Sequence, residues 1–289
     1  MKKFLALLLA LMMSLSLVAC GGNDAAEEEA PAEDTAVEDT AVEETPESDA
    51  AYIEGNGKVV VGITIYEPMN YYDEAGNLTG FDTEFALAVC DKLGLEAEFQ
   101  EINWDTKEIE LAGKTIDCIW NGMTITADRA ANMSISLPYV KNAQVIVVKA
   151  DSAYASTADL VDATLVAEMG SAGEAQIEGE DANADLAQAD YVGMAKQTDC
   201  LMEVKAGTAD AAVLDWTLAK SMVGEGTDFA DLKMIEGVEL ATEEYGIAFR
   251  QGSDFTAKVD DAIKALVADG TLPALAEKYG LALAPAIAG

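Results

Sequence analysis

Histidine is absent from this 289-residue sequence, and arginine occurs at only two positions, Arg129 and Arg250. The missing imidazole removes the most frequent general base and zinc ligand, so histidine-dependent triads and histidine-ligated metal sites are excluded. Basic residues number 17 against 53 acidic ones, which gives a formal net charge of −36 at pH 7. Nucleic-acid binding needs basic patches that neutralise phosphates, so we predict no nucleic-acid partner.

Cysteine is also sparse, and the four cysteines show no CxxC spacing and are too few for a disulfide scaffold. Cys90, Cys118 and Cys200 stand in apolar segments, which favours buried thiols. The stretch "GKT" at 113–115 resembles the end of a phosphate-binding loop, but Glu108 occupies the position of that loop's first glycine. We therefore predict no cofactor, no metal ion and no catalytic residue.

The N-terminus, residues 1–20, joins a basic start to a mostly apolar run. Lys2 and Lys3 precede this run, which ends at Cys20 and has the pattern of a secretory signal rather than of a spanning helix. The ending "LVAC", followed by two glycines, resembles the bacterial lipobox. The resemblance implies a lipid anchor at Cys20 and a location on the outer face of the cytoplasmic membrane or on its periplasmic side. An ordinary signal peptide with an incidental cysteine is the alternative.

Residues 21–51 form a separate acidic segment. Positions 21–50 hold 12 acidic residues, no basic residue, and otherwise mostly alanine, threonine, proline and glycine. Such a composition buries too little apolar surface to offset the entropy of ordering. We therefore predict a disordered, extended tether.

Beyond the tether, strand and helix patterns alternate. The run 58–65 is typical of a strand buried in a parallel sheet, and Phe85, Val89 and Leu93 then recur at helical spacing before Gly94. Asp82 is predicted to cap this helix. The pattern continues with strands at 95–102, 143–150, 163–170 and 245–250, and with helices at 254–269 and 272–279.

This alternation predicts an α/β architecture made of two Rossmann-like lobes. The first lobe is expected to comprise residues 52–140 and 246–289, and the second residues 141–245. Two crossovers near 140–143 and 243–246 would join them.

Small and polar residues follow the predicted strands in both lobes. Asn121, Gly122 and Thr124 follow one strand, residues 170–173 follow another, and Asp215 ends a third. In open α/β sheets, ligands bind outside the carboxyl ends of the strands. These residues are therefore predicted to converge on one cleft between the lobes.

Five stretches occur in a characteristic order, namely "YEPMNYYDEAGNLTGFDTEFALAV", "AGKTIDCIWNGMTITADR", "LPY", "GSAGE" and "AGTADAAVLD". Together they resemble the polar amino-acid family of the solute-binding proteins of bacterial ABC importers. The resemblance covers residues 58–280 and implies the type II periplasmic-binding-protein fold. It also implies a monomer that closes by hinge motion over a free amino acid and is recognised by membrane permease subunits.

The resemblance assigns roles to the candidate ligand-binding residues. Arg129 matches the residue that grips the α-carboxylate, because a guanidinium offers two parallel N–H bonds. Thr124 would assist it with its hydroxyl and backbone N–H, and Ser171 or Ala172 would add a backbone N–H from the opposite lobe. Asp215 matches the acidic partner of the α-ammonium.

Further contacts complete the implied site. The Gly122 carbonyl would lie beside the α-ammonium, and the rings of Tyr66 and Trp104 would bracket the apolar stem of the ligand. Asn121 is one of several candidates for reading the ligand's side chain.

Simpler roles exist for several of these residues. Arg129 could form a surface salt bridge, as we expect for Arg250, and Asp215 could only cap the helix that begins "WTLAK". Tyr66 and Trp104 could be core aromatics. Two further functions also share this scaffold, a sensory domain that reports ligand to a signalling partner and a dehydratase-type enzyme.

Overall fold

The computed structural model describes residues 48–288. The predicted signal peptide, the lipidation at Cys20 and the tether up to residue 47 lie outside the described residues. Within residues 48–288, no helix combines the length and apolar character needed to cross a membrane.

Helices and strands alternate along the described chain, which confirms the predicted α/β class. The strands are β1 (Lys58–Ile63), β2 (Tyr71–Tyr72), β3 (Leu78–Thr79), β4 (Glu96–Glu101), β5 (Cys118–Ile119), β6 (Ser134–Ile135), β7 (Val140–Lys149), β8 (Thr164–Glu168), β9 (Asp190–Met194), β10 (Ala211–Asp215), β11 (Leu232–Tyr245) and β12 (Ala248–Phe249). The α-helices are α1 (Asp49–Asn56), α2 (Phe81–Leu93), α3 (Lys107–Ala112), α4 (Ala127–Asn132), α5 (Ala172–Glu178), α6 (Gln197–Ala206), α7 (Trp216–Met222), α8 (Phe255–Ala268) and α9 (Thr271–Tyr279).

Two five-stranded sheets carry the fold. The first sheet has the order β4-β1-β5-β12-β6, with β1 parallel to both β4 and β5. The second sheet has the order β11-β7-β10-β8-β9, with β8 parallel to β9 and β10. In each sheet, helices follow the parallel strands, so the turns after their carboxyl ends are free to form a site.

Helix α2 shows how local sequence sets one element. Phe81, Phe85 and Val89 lie on its buried face, and the helix ends at Gly94, whose φ of 69° is in the left-handed region that glycine tolerates. The prediction that Asp82 caps this helix is wrong. The N-cap residue is Gly80, and Asp82 lies in the first turn with its carboxylate buried beneath the loop that follows β5.

The antiparallel pair β7 and β11 is the largest departure from the sequence-based expectation. Both predicted crossovers, near 140–143 and 243–246, fall within these strands or directly at their ends, because Val140 pairs with Tyr245 and Asn142 with Glu243. Strand β11 was not predicted, since its residues alternate irregularly and its pairing with β7 is interrupted by register shifts. Helix α1 was also missed, and it begins at Asp49, inside the segment predicted as tether.

A cluster of aromatic side chains supports the first sheet beneath its loops. Phe85 packs edge-on against Trp120 with ring centroids 5.0 Å apart, and it lies 5.5 Å from Tyr139. Tyr139 in turn lies 6.3 Å from Tyr245. Each of these rings is almost fully buried, so the turns above them rest on a rigid base.

Candidate functional site

The turns after the parallel strands of the two sheets surround one small cavity. All nine ligand-binding residues predicted from the sequence line it, and Glu168 and Gln197 line it as well. The complete lining consists of Tyr66, Trp104, Asn121, Gly122, Thr124, Arg129, Glu168, Ser171, Ala172, Gln197 and Asp215.

Arg129 is buried at the cavity, with only 8% of its surface exposed. Its Nη1 donates to the Thr124 carbonyl at 2.8 Å, and its Nη2 donates to the Gly170 carbonyl at 2.9 Å. No carboxylate of residues 48–288 forms a salt bridge with it, so the surface salt bridge considered from the sequence does not exist here. Burial lowers the pKa of the guanidinium. A buried cation held only by carbonyl oxygens favours an anionic ligand.

The Gly170 carbonyl also joins the two sides of the cavity. Gly170 follows β8 of the second sheet, and its oxygen accepts bonds from Arg129 and, at 2.9 Å, from Lys107 of α3. Lys107 donates a further bond to the Trp104 carbonyl at 3.1 Å. Burial and the nearby guanidinium lower the pKa of Lys107 to about 8. The Gly170 carbonyl therefore accepts hydrogen bonds from two cationic side chains, Lys107 and Arg129, on the opposite side of the cavity.

Asp215 is a buried carboxylate surrounded by neutral donors. Its Oδ1 accepts bonds from Asn142 at 2.6 Å and from Gln144 at 2.5 Å, and its Oδ2 accepts a bond from Gln197. Although Asp215 precedes α7, its side chain makes no capping hydrogen bond, so it is not merely a helix cap. Burial raises its pKa. Within the described residues it has no basic partner, which suits it to receive an ammonium group.

Glu243 of β11 shares the donors of Asp215. Its Oε1 accepts bonds from Thr124 Oγ1 at 2.8 Å, Asn142 Nδ2 at 2.6 Å and Gln144 Nε2 at 2.8 Å. Burial and the charge of Asp215 raise the pKa of Glu243 to about 7. The register explains the cluster, because Glu243 lies opposite Asn142 and Asp215 lies opposite Gln144 in adjacent strands.

Sequence reasoning missed this polar cluster, although β7 carried a signal. Asn142 and Gln144 lie two residues apart in β7, both are buried, and the other buried residues of this strand are all apolar. Buried amide side chains at alternate positions must share one face of the strand and need partners there.

Glu168 is a second carboxylate that the sequence analysis missed. It is the last residue of β8, only 4% of its surface is exposed, and its Oε1 has no hydrogen-bond partner among the described residues. Burial, followed by the charge of Asp215, raises the pKa of Glu168 to about 8. The sequence did carry a signal for Glu168. It is an acidic residue at the end of an apolar strand, which is the same pattern that identified Asp215.

Asn121 is occupied by contacts within its own side of the cavity. Its Nδ2 donates to the Thr64 carbonyl at 2.9 Å and to Asn70 Oδ1 at 2.7 Å, while its Oδ1 accepts a bond from Thr64 Oγ1 at 2.7 Å. These three bonds fix the loop that follows β5. A direct contact between Asn121 and a ligand side chain remains a prediction.

Asp82 positions the neighbouring Gly122. Its Oδ2 accepts bonds from the Gly122 N–H at 2.7 Å and from the Tyr139 hydroxyl at 2.9 Å. Gly122 has a φ of 58°, and an added Cβ would lie 2.7 Å from Cε1 of Tyr66. The hydroxyl of Tyr66 lies 2.5 Å from that of Tyr245, so the ring is held firmly at the cavity wall.

The opposite wall contains the start of α5. The Ser171 N–H donates to the Glu168 carbonyl at 3.1 Å, and the Ser171 hydroxyl caps α5 by accepting a bond from Glu174 N at 3.1 Å. Ala172 N–H has no acceptor among residues 48–288. Of the two predicted backbone donors, Ala172 is therefore the one that is free.

The second arginine, Arg250, forms salt bridges as predicted, but they are largely buried and not on the surface. Its Nε lies 2.6 Å from Asp49 Oδ1, and its Nη2 lies 3.0 Å from Asp117 Oδ1. Cys90, Cys118 and Cys200 are free and buried, which confirms the interpretation as buried thiols. In the described part of the chain, no group of three or more cysteine, aspartate or glutamate side chains could hold a metal ion.

The raised pKa values predict how stability depends on pH. The folded protein holds the pKa of Asp82 and of Glu243 at about 7 and that of Glu168 at about 8, above their ordinary values of 3.8 and 4.5. The folded state therefore binds more protons than the unfolded state between about pH 5 and 7, and stability must fall as pH rises through this window.

We expect the melting temperature of the ligand-free protein to decrease between pH 5.5 and 7.5 in differential scanning calorimetry. Glu243→Gln should flatten this dependence, because one of the three protonated groups is replaced by a neutral amide. A melting temperature that rises over this range would contradict the prediction.

The two sheets, their connection through β7 and β11 and the cavity at their carboxyl ends define the type II periplasmic-binding-protein fold. Residues 59–282 match the family model of the bacterial extracellular solute-binding proteins, family 3. The chain belongs to this family.

Named relatives bind amino acids. The arginine-binding extracellular protein ArtP of Bacillus subtilis (strain 168) is 28% identical over 291 residues, covering 96% of this chain and 98% of ArtP. The L-cystine-binding protein TcyJ of Escherichia coli (strain K12) is 29% identical over 231 residues, covering 78% of this chain and 84% of TcyJ.

Solved structures agree with these relatives. Tv2483 bound to L-arginine superposes with a TM-score of 0.74 at 25% identity, covering 80% of this chain and 93% of that one. The ancestral amino acid-binding protein AncCDT-1, a precursor of cyclohexadienyl dehydratase, gives a TM-score of 0.71 at 29% identity, with coverage of 80% and 99%.

Proposed function

We propose that this protein is an extracytoplasmic receptor that binds a free amino acid and delivers it to the permease of an ABC importer. One observation carries the proposal, namely that a buried guanidinium without an acidic partner and a buried carboxylate without a basic partner line the same cavity. A free α-amino acid carries the two complementary charges. Family membership and the amino-acid-binding relatives support the same class of ligand.

In the proposed binding mode, Arg129 receives the α-carboxylate together with the Ala172 N–H from the other side of the cavity. Asp215 receives the α-ammonium, beside the Gly122 carbonyl. Both ligand charges would otherwise be buried without partners, which costs several kcal/mol for each unpaired ion.

Closure would be a rigid-body motion of the two predicted lobes, residues 52–140 with 246–289 and residues 141–245, about the strands β7 and β11. The bonds from Arg129 and Lys107 to the Gly170 carbonyl support this, because they connect side chains of the first lobe to backbone of the second. A monomer anchored through a lipid on Cys20 would hold the receptor near its permease. Two acyl chains are sufficient for a stable anchor.

A thermal-shift screen of the twenty amino acids tests the proposal. At a hundred times its dissociation constant, the correct ligand adds about 2.7 kcal/mol of stability. For a domain of this size we expect a rise in melting temperature of roughly 5–10 °C. If no amino acid raises the melting temperature, the proposed ligand class is wrong.

A second candidate function, an enzyme of the dehydratase type, has one supporting observation. Glu168 is a buried carboxyl whose pKa is raised to about 8, and a general acid needs that property. We favour binding without chemistry, because the family and the named relatives are binding proteins. Mass spectrometry of the ligand after incubation with the protein separates the two, since turnover would support the enzyme.

A sensory role would use the same cavity. Deletion of the gene distinguishes it from transport. Loss of uptake of the ligand would support the importer, whereas loss of a ligand-dependent response with uptake intact would support the sensor.

A further inference from the structure

The charges that line the cavity do not match a neutral amino acid. The lining carries one guanidinium, Arg129, and two carboxylates, Glu168 and Asp215. On the proposed function, the α-carboxylate pairs with Arg129 and the α-ammonium pairs with Asp215. One carboxylate, Glu168, is then left without a counterpart.

Glu168 has no basic partner among the described residues. The charge of Lys107 acts to lower the pKa of Glu168, but Lys107 directs its Nζ to the carbonyls of Trp104 and Gly170 and forms no salt bridge with Glu168. Since Oε1 of Glu168 also lacks a hydrogen-bond partner among residues 48–288, this carboxyl group lies buried at the cavity with one oxygen unpaired. Burying such a group without a partner costs free energy in the empty protein, and a positively charged partner offsets most of that cost.

The other acidic group nearby does not offer an alternative position for the ligand's cation. Glu243 does not line the cavity, and its Oε1 already accepts three hydrogen bonds from Thr124, Asn142 and Gln144. Its role is to support Asp215 through their shared amide donors. Glu168 therefore stands alone as the surplus carboxylate that a ligand can reach.

The entrance to the cavity also carries an excess of acidic residues. A wide opening shares Arg129, Ser171 and Ala172 with the cavity, and its lining includes only Lys107 and Arg129 as basic residues among those described. Acidic residues from both sides surround it, namely Asp105, Glu108, Asp128, Glu174, Glu178, Glu180 and Asp181. An entrance in which one sign of charge predominates raises the local concentration of ligands with the opposite charge.

We propose that Glu168 determines specificity by pairing with a second positive charge on the ligand, so that the ligand is a basic amino acid with an ammonium or guanidinium side chain. This inference rests on the proposed function, because it takes the α-amino and α-carboxylate groups as bound by Asp215 and Arg129. It assigns to Glu168 the reading of the ligand's side chain.

The first test compares ligands that differ only in charge, using calorimetry on the full chain. L-Arginine is compared with L-citrulline, which replaces the guanidinium by a neutral urea, and L-lysine is compared with L-norleucine. We expect the cationic member of each pair to bind roughly 100-fold more tightly, because only that member brings a positive charge that can pair with the ionised form of Glu168. A preference for the neutral member of both pairs would overturn the inference.

The second test uses Glu168→Gln, which keeps the size of the side chain and removes its charge. We expect the ratio of L-arginine to L-citrulline affinity to fall by at least about tenfold, with the affinity for L-citrulline changed less than about threefold. A purely structural role would weaken both ligands equally and would contradict the assignment. Glu277→Gln is the matched control, because it removes an exposed carboxylate on α9 that lines neither the cavity nor its entrance and should leave the ratio unchanged.

The outcomes separate this inference from the proposed function. If neutral amino acids bind well and basic ones do not, the receptor function stands and the role of Glu168 is wrong. If no amino acid binds, whether its side chain is cationic, neutral or anionic, the proposed function itself is wrong.

Discussion

Arg129→Ala is expected to weaken binding of the amino acid ligand by roughly 150- to 5000-fold, which corresponds to about 3–5 kcal/mol. The substitution leaves the α-carboxylate of the ligand buried without a cationic partner. It also removes the bond from Nη2 to the Gly170 carbonyl. Titration calorimetry with the amino acid that most stabilises the wild-type protein measures the loss.

Arg129→Lys provides the matched control for this prediction. Lysine keeps the positive charge but cannot form two parallel bonds to a carboxylate, so we expect an intermediate affinity. In the ligand-free state, both variants should unfold within a few degrees of the wild type, because Arg129 has no salt bridge to lose within residues 48–288. A loss smaller than tenfold for Arg129→Ala would refute the carboxylate assignment.

Gly170→Val is expected to prevent closure over the ligand and to reduce affinity by a similar factor. An added Cβ at this position would lie 3.0 Å from Cα of Asp105 and 3.2 Å from Nζ of Lys107, both on the opposite side of the cavity. A branched side chain would hold the two sides apart and prevent Lys107 and Arg129 from reaching the Gly170 carbonyl. The ligand would then remain open to water, which weakens every charged contact.

The control must separate this obstruction from backbone strain. Gly170 has a φ of 72°, and Gly252 has an almost identical φ of 74° with no atom within 4 Å of an added Cβ. Gly252→Val should therefore lose a comparable amount of folding stability while it keeps its affinity for the ligand. X-ray scattering with and without ligand should show compaction in the wild type and in Gly252→Val but not in Gly170→Val. Compaction in all three would refute the obstruction.

The class of fold and much of the candidate site could be predicted because they follow from local rules. A β-branched run predicted β1, helical spacing and Gly94 predicted α2, and the carboxyl-end rule predicted that Asn121, Thr124 and Asp215 meet at one cavity. Each of these inferences uses residues that are close in sequence. The family resemblance then supplied the pairing of motifs from different lobes.

The missed features depend on contacts between distant residues. Glu243 meets Asn142 only through the pairing of β11 with β7, and Asp82 meets Gly122 only after α2 packs under the loop that follows β5. The capping prediction for Asp82 failed for this reason. An acidic residue in the first turn of a helix can accept hydrogen bonds from several different groups, and the packing of distant residues decides which one it meets. Glu168 is an exception, since its place at the end of an apolar strand was visible in the sequence.

The contact at Gly170 also bears on how the receptor could change over time. Lys107 and Arg129 bind a main-chain oxygen, so the contact needs space at position 170 but no particular side-chain chemistry there. Holding the two sides together is therefore assigned to the backbone, whereas recognition of the ligand's side chain is assigned to groups such as Glu168. On the specificity role proposed for Glu168, mutations at residue 168 would exchange one ligand for another without touching the closing contact, and the scaffold would acquire new substrates in single steps.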